Sequence, residues 1–322
     1  MLEFKHLDNL KNILPTYFPL FSPLIEPKLT VPFSYPIPIL ALPSIEFNHC
    51  IIKIDLPEGP LFQELTDNDL PFGAMPNIIN NAQALVIPNK ANLAKPAQLI
   101  NIPYTPLIKS SIKRTLNARV AGDHLTIATN LEVVGNSVSG YRGYFSDLTK
   151  EQTKENVNKA VGQYFESTID IKKHQFSNLD NLGTDLSFET DFVIKNAVLA
   201  IGGIKAIKPP FMEKIFSIDP FVKEERSHPL LYWKYEDNDA YDIDILLELP
   251  VGSKVNELPE NFAIKTGIVD YQLSVKQEGE NKVRVIRTAK LNRAVVSAAD
   301  YKAFKTTIEQ ILKAEDFYIA FK

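Results

Sequence analysis

The side chains whose types and spacing could do chemistry lie close together in the first quarter of the chain. His49 opens one apolar run, and Glu64 stands at the end of the next. A cysteine-type active site holds its general base in this way, because a neighbouring carboxylate fixes the tautomer of the imidazole. The pattern therefore predicts that His49 occupies a base position and that Glu64 orients it.

The nucleophile that such a base would serve is not evident. Cys50 is the only cysteine in the chain, so no internal disulfide is possible and the redox compartment is not indicated. Neighbours on a strand point to opposite faces, so Cys50 is expected to point away from the partners of His49. Among its apolar neighbours the thiol would have a raised pKa and behave as a small hydrophobe.

Alternation of apolar and polar residues predicts β-structure through most of the chain. The predicted strands are Ile51–Leu56, Leu61–Leu65, Ala84–Pro88, Ser110–Val120, Leu125–Val134, Ile169–Phe176, Phe188–Ile201, Tyr241–Leu249, Tyr271–Gln277, Val283–Leu291 and Phe317–Phe321. Gly202-Gly203 is read as a tight bend. Two helices are predicted, Thr149–Phe165 and Ser297–Lys313, with Thr149 and Ser297 as their N-caps.

A proline-rich segment precedes these elements. Residues 1–43 contain eight prolines separated by large apolar residues. Proline removes backbone donors and fixes φ, so neither a long helix nor a central strand is expected there. The segment is too apolar for a free linker, which favours an irregular arm packed on a neighbouring surface.

Composition excludes several classes of function. The net charge is −4, with both signs well mixed, so no nucleic-acid surface is indicated. No apolar run is long enough for a transmembrane helix. The charged segment Met1–Asn12 is not a signal peptide, which favours the cytoplasm, or export if Met1 is not the natural start. Two groups of acidic residues are explained by turns and by the exposed faces of strands: Glu64, Asp67 and Asp69, and those between Asp237 and Asp244. Neither a metal nor a cofactor is therefore expected.

Several short motifs carry a resemblance to a known family. They include Phe47-Asn48-His49, Leu70-Pro71-Phe72-Gly73, His228-Pro229-Leu230 and Glu257-Leu258-Pro259-Glu260. By these motifs, residues 44–322 resemble the C-terminal half of bacterial transglutaminase-like proteins, which have a papain-like Cys-His-Asp core and flanking β-sandwich domains. The resemblance implies a mainly β (α+β) fold. Its predicted parts are the arm (1–43), a partial transglutaminase-like core (44–94), and two β-rich, sandwich-like domains, one (95–225) with helix 149–165 and one (226–322) with helix 297–313.

The departures from the family pattern bear on function. The family has a cysteine at a helix N-terminus well before the histidine, whereas none of the 48 residues before His49 is a cysteine. Glu64 replaces the family's aspartate, and Phe62 replaces a tryptophan. The leading hypothesis is a truncated, degenerate member: a non-catalytic binding or structural module that contacts other protein chains through strand edges or the arm. The alternative is a cysteine-type acyltransferase or peptidase that uses His49 and Glu64 with Cys50, or with a cysteine from a separate N-terminal half.

Overall fold

A computed structural model describes residues 49–87, 97–183, 185–221, 223–232, 236–293 and 295–322, together with the backbone of 28–33. The chain divides into two compact units, Met1–Ile108 and Lys109–Lys322. Most of the proline-rich arm lies outside the described residues.

The first unit contains a five-stranded antiparallel sheet. Its strands are β1 (Lys28–Phe33), β2 (Ile51–Leu56), β3 (Gly59–Gln63), β4 (Gln83–Ile87) and β5 (Gln98–Asn101), in the order β3-β2-β1-β4-β5. Ile51 and Ile54 of β2 are almost fully buried, as are Ala84 of β4 and the nearby Ile102. The sheet therefore has a compact apolar core in spite of its short strands.

The expectation that no central strand forms in residues 1–43 is wrong, because β1 lies in the middle of this sheet. The register explains how the strand accommodates Pro32. β1 pairs with β2 only over Lys28–Thr30, whereas its pairing with β4 extends to Phe33. Among the described residues, Pro32 thus pairs with β4 alone, and a missing backbone donor is tolerated there as it is on an edge strand.

The second unit is built on an eight-stranded sheet in the order β14-β15-β16-β12-β6-β7-β9-β8. These strands are β6 (Ser111–Ala121), β7 (His124–Val134), β8 (Ile169–Ser177), β9 (Leu186–Ile194), β12 (Ala240–Glu248), β14 (Phe262–Lys265), β15 (Val269–Gln277) and β16 (Lys282–Leu291). All neighbours are antiparallel except β6 and β12, which run parallel at the centre. A four-stranded sheet joins β10 (Val198–Ile201), β11 (Ile204–Ile207), β17 (Ile319–Phe321) and β13 (Val255–Glu257).

One face of the eight-stranded sheet is buried and the other is exposed. Along β6, Leu116, Ala118 and Val120 are buried, while Asn117 and Arg119 between them are exposed. The buried face contributes to a single large core together with residues of three helices: α1 (Ser137–Phe145), α2 (Lys150–Gly162) and α3 (Tyr301–Glu315). This is the packing that the alternating pattern indicates, with a polar face towards solvent.

The helices follow the sequence in part. α2 begins after Thr149, the predicted N-cap, whose side chain accepts from the backbone N–H of Gln152 in a capping box. It ends at Gly162 rather than at the predicted Phe165. α3 begins at Tyr301 rather than at Ser297. Ser297 instead closes a turn before the helix, since its hydroxyl accepts from the backbone N–H of Asp300 at 3.1 Å. α1 was not predicted.

One predicted strand is divided in the structure, and one predicted bend is present. The run Phe188–Ile201 divides into β9 and β10, with a turn between them in which Asn196 has a positive φ. Gly202-Gly203 forms the tight bend expected, a two-residue hairpin turn between β10 and β11 in which both glycines have positive φ.

The predicted boundary at 225/226 lies between strands of one sheet, because β6–β9 precede it and β12 follows it beside β6. The domain limits drawn from the sequence stay predictions. The fold class is confirmed: the chain is mainly β, with few helices and several sheets. In the described ranges, no helix combines the length and the apolar character needed to cross a membrane.

Candidate functional site

A β-hairpin brings His49 and Glu64 together. β2 and β3 pair in antiparallel register, with Ile52 opposite Gln63. His49 lies two residues before β2 and Glu64 lies one residue after β3, so both are at the open end of the hairpin. There the imidazole Nε2 is within hydrogen-bonding reach of Glu64 Oε2.

The carboxylate is held from its other side as well. Glu64 Oε1 accepts from the backbone N–H of Thr66 at 2.5 Å and from the Thr66 hydroxyl at 2.6 Å. The Glu64 side chain is 3% exposed, whereas the His49 side chain is 23% exposed. The orienting group is therefore buried and fixed, while solvent reaches the ring.

The neighbouring Leu70-Pro71-Phe72-Gly73 motif fixes the end of β3. The Gln63 side chain donates to the carbonyl of Glu64 at 2.9 Å and accepts from the backbone N–H of Gly73 at 3.0 Å. Gly73 has a φ of +86°, and a Cβ there would lie 2.8 Å from the Cβ of Leu107. The position requires glycine, so the motif has a structural role beside the His–Glu pair.

Hydrogen bonding sets the ionisation of the pair. The pKa of His49 is raised, chiefly because Glu64 accepts its N–H, and burial opposes this only in part. Burial would raise the pKa of Glu64, but the hydrogen bonds from His49 and Thr66 outweigh it and the pKa is lowered. With Nε2 directed at the carboxylate, Nδ1 is the ring nitrogen left to exchange a proton with another group.

Cys50 is poorly suited to be that other group. The half-buried thiol has a raised pKa, first because of burial and second because of the negative charge of Glu64. Cys50 lies one residue before β2 and not inside a strand, so the strand alternation expected from the sequence does not fix its direction. Within the described residues its sulfur makes no hydrogen bond to the imidazole.

The other acidic residues singled out in the sequence belong to turns and ion pairs. Asp67 accepts from the backbone N–H of Asp69 at 2.9 Å. Asp239 accepts from the backbone N–H of Ser110 and from the guanidinium of Arg293, each at 2.9 Å. In the part of the chain that the structure describes, no three His, Cys, Asp or Glu side chains are placed to hold a metal ion.

A group of buried charges in the second unit was missed by sequence reasoning. Arg114 and Arg287, 4% and 1% exposed, lie on the buried face of the large sheet. Arg114 donates to Glu213 and to the Thr129 hydroxyl, and Arg287 contacts Glu315 at 3.1 Å. The only signal in the sequence is that each arginine stands at a position of its strand where the alternation predicts a buried, apolar residue.

Arg142 of α1 is likewise buried. It donates to the backbone carbonyls of Leu179 at 3.1 Å, Asn178 at 3.3 Å and Asn181. These hydrogen bonds to backbone carbonyls give Arg142 a structural role.

Comparison with known proteins assigns no activity. A family model described as a domain of unknown function with a solved structure, DUF3858, matches residues 202–320. A candidate protease from Parabacteroides distasonis ATCC 8503 resembles the chain with a TM-score of 0.43 and 11% identity, over 92% of this chain. The chain spans 40% of that protein's length, and a score at this level assigns neither a shared fold nor a shared activity. No protein of curated function matches in sequence. The C-terminal part of the chain is thus similar to DUF3858.

Proposed function

We propose that this chain is a non-catalytic binding or structural module that retains the base and its orienting carboxylate from a transglutaminase-like site. One observation carries the proposal: the His49–Glu64 pair is formed, but the one thiol in the sequence, that of Cys50, has a raised pKa. Acyl transfer through a thioester requires a thiolate. A base without a nucleophile captures no acyl group.

An amine-incorporation assay tests this proposal. The purified chain is incubated with a glutamine-containing peptide and a fluorescent primary amine, and covalent product is measured by mass spectrometry. We expect no product above the protein-free background. Amine incorporation that is lost in both His49→Ala and Cys50→Ala, but kept in the exposed control His228→Ala, would show that the chain is an enzyme.

The reactivity of Cys50 gives an independent measurement. Because the raised pKa keeps the thiol protonated at neutral pH, alkylation by iodoacetamide should be slow at pH 7 and should accelerate as the pH rises. Fast alkylation at pH 7 that slows in His49→Ala would indicate an imidazole-activated thiolate and would contradict the proposal.

A second function is favoured by the completeness of the carboxylate network. Glu64 is bound by the imidazole and by two groups of Thr66, which is the support that a working general base requires. We infer that a thiol brought to Nδ1 by a separately encoded chain, or by a segment encoded upstream, would complete a cysteine-type acyltransferase or peptidase. The imidazole would take the thiol proton, the thiolate would attack the amide carbon, and the imidazolium would protonate the departing amine. An amine or water would then open the thioester.

The DNA upstream of the reading frame distinguishes the two functions. A segment that encodes a helix with a Gly-Asp-Cys-type sequence would be expressed joined to this chain and given the same amine-incorporation assay. Incorporation that depends on that cysteine and on His49 would establish the second function. An inactive joined protein would leave the non-catalytic module, whereas the absence of such a segment would restrict the second function to a thiol from a separately encoded chain.

A further inference from the structure

A cavity of about 390 Å³ opens on the covered side of the eight-stranded sheet. Tyr141 of α1 and Tyr241 of β12 form part of its wall, Gln163 and Tyr164 follow α2, and Glu213 lies in the segment between β11 and β12. The volume falls within the range of about 300–1,000 Å³ that small-molecule sites occupy. All the lining residues belong to the second unit, whereas His49 and Glu64 belong to the first.

Three tyrosines supply aromatic surface. The Tyr241 hydroxyl is already engaged, since it donates to Glu236 at 2.6 Å and accepts from the Asn238 amide at 3.1 Å. It can therefore offer a ligand only its ring. Burial raises the pKa of Tyr141 and of Tyr164, so both hydroxyls stay protonated at neutral pH and can donate as well as accept.

The charged groups of the wall are compensated by partners of their own. The Glu213 carboxylate is bound by Arg114 and lies 3.9 Å from the guanidinium of Arg287. The ammonium of Lys214, which also lines the cavity, lies 3.5 Å from Asp219. A charged ligand would have to compete with the buried pair of Glu213 and Arg114, whereas a neutral ligand would leave it intact; the Lys214–Asp219 pair is exposed and weak.

We propose that this cavity binds a neutral, polyhydroxylated small molecule, with a sugar ring as the chemical class. The C–H faces of such a ring carry partial positive charge and suit the negative faces of the tyrosine rings. Its hydroxyls suit the hydroxyls of Tyr141 and Tyr164, which can each donate and accept, and the oxygen of the Gln163 amide, whose nitrogen already donates to the Ala160 carbonyl at 3.0 Å. This combination of aromatic faces and neutral polar groups is what an uncharged polyol requires.

Saturation-transfer NMR on the full chain tests the proposal, with glucose and N-acetylglucosamine as separate probes. We expect transfer to the ring C–H protons of at least one sugar. Tyr164→Ala should weaken the affinity at least about tenfold, because the side chain forms an aromatic wall of the cavity. Tyr144→Ala is the matched control: Tyr144 is 44% exposed, similar to Tyr164 at 38%, but does not line the cavity.

Several results would overturn the proposal. The first is no saturation transfer to either sugar. The second is a sugar affinity in Tyr164→Ala equal to that of the native chain. The third is a loss of sugar binding in Tyr144→Ala but not in Tyr164→Ala. Binding of benzylamine or inorganic phosphate, with no binding of the sugars, would assign the cavity to an ion and would also overturn it. Should Tyr164→Ala fail to fold, the exposed Gln163→Ala replaces it, and unchanged sugar affinity in that variant would count against the site.

Discussion

At the scale of single residues, the His49–Glu64 pair follows from hairpin geometry. The two residues are 15 positions apart, and the antiparallel pairing of β2 with β3 places them at the same end. The alternation of each strand and the short turn between them can both be recognised from neighbouring residues in the sequence. The sequence could therefore be used to select this pair. The Thr66 contacts that hold the carboxylate depend on the exact backbone path after β3 and could not be predicted from types and spacing.

Glu64→Gln should lower the pKa of His49. The variant removes the negative acceptor that raises this pKa and leaves the burial that lowers it. In the native protein the ion pair stabilises the fold at pH values above the lowered pKa of Glu64 and below the raised pKa of His49. That stability is lost as the pH rises through the pKa of His49.

An NMR titration of the His49 ring protons measures this shift. Asp55→Asn is the control, because Asp55 is an exposed carboxylate on the same hairpin that pairs with Lys53 and not with the imidazole. An unchanged His49 titration in Glu64→Gln, or an equal shift in Asp55→Asn, would show that the contact with Glu64 does not set the ionisation of the ring.

Arg114→Leu should destabilise the second unit by about 3–5 kcal/mol, because it leaves the buried carboxylate of Glu213 without its closest partner. Arg119→Leu is the matched control. Arg119 is on the same strand, but it is exposed and pairs with Glu248 at the surface, so its loss should cost about 1 kcal/mol or less.

Urea unfolding of both variants measures the difference, and the double variant Arg114→Leu/Glu213→Leu should recover part of the loss. Equal midpoints for the Arg114 and Arg119 variants would contradict a buried pair. The sequence could not predict this pair, because 99 residues separate the partners and an arginine on an apolar face gives no indication of where its carboxylate is.

At the scale of elements, local signals were predictive and non-local ones were not. α2 was predicted because Thr149 suits an N-cap and because Val157 and Val161 follow it at helical spacing; the capping box of Thr149 with Gln152 is local too. α1 was missed because Gly140 and Gly143 lower its helix propensity and because Arg142 provides part of its buried face. The start of α3 was misplaced because Ser297 satisfies the backbone of a turn, a role that serine fills as readily as that of an N-cap.

Gly135→Ala should destabilise the connection between β7 and α1 by more than Gly122→Ala destabilises the β6–β7 turn. Both glycines have positive φ, which costs an alanine about 1–2 kcal/mol. A Cβ at Gly135 would also lie 2.7 Å from the Cα of Ser110, whereas a Cβ at Gly122 would meet no atom within 4 Å. The backbone must therefore move in Gly135→Ala but not in Gly122→Ala.

The unfolding temperatures of the two glycine variants test this ranking. Both variants place an alanine at a positive φ, so the difference between them reports the steric contact at Gly135 alone. Similar losses would mean that the close approach of Gly135 to Ser110 has no energetic weight. A larger loss in Gly122→Ala would contradict the packing of this corner.

At the scale of the whole molecule, the large sheet depends on the parallel pairing of β6 with β12, here called the seam, which sequence patterns do not reveal. β6 and β12 run parallel side by side, although Ser111 and its partner Ala240 are separated by most of the second unit. Periodicity indicates which face of a strand is buried but not which strand lies beside it. The predicted boundary at 225/226 was therefore drawn between segments that the sheet joins.

A polar network ties the ends of this seam together. Glu236 accepts from the backbone N–H of Asn238 at 3.0 Å and from the Tyr241 hydroxyl, and Arg293 donates to its backbone carbonyl. Asp239 binds both Ser110, just before β6, and Arg293, just after β16. Three strand ends thus converge at Asp239, which accepts from the Ser110 backbone N–H and from the Arg293 guanidinium.

The ionisation of Glu236 should make the stability of the second unit depend on pH. Burial raises its pKa from 4.5 to about 7, with a smaller contribution from the charge of Asp237, while Tyr241, Asn238 and Arg293 oppose the rise. The folded state binds this proton more tightly than the unfolded state, so the free energy of unfolding should fall as the pH rises from about 4.5 to about 7. The loss amounts to about 3 kcal/mol at most.

Glu236→Gln keeps the shape of the side chain and removes the titration, so its free energy of unfolding should change less between pH 5 and pH 8 than that of the native chain. Urea unfolding at the two pH values measures this difference. Asp242→Asn, which replaces an exposed carboxylate on β12, should keep the native pH dependence. An equal loss of unfolding free energy in the native chain and in Glu236→Gln would contradict this prediction. Other groups would then account for any loss with rising pH.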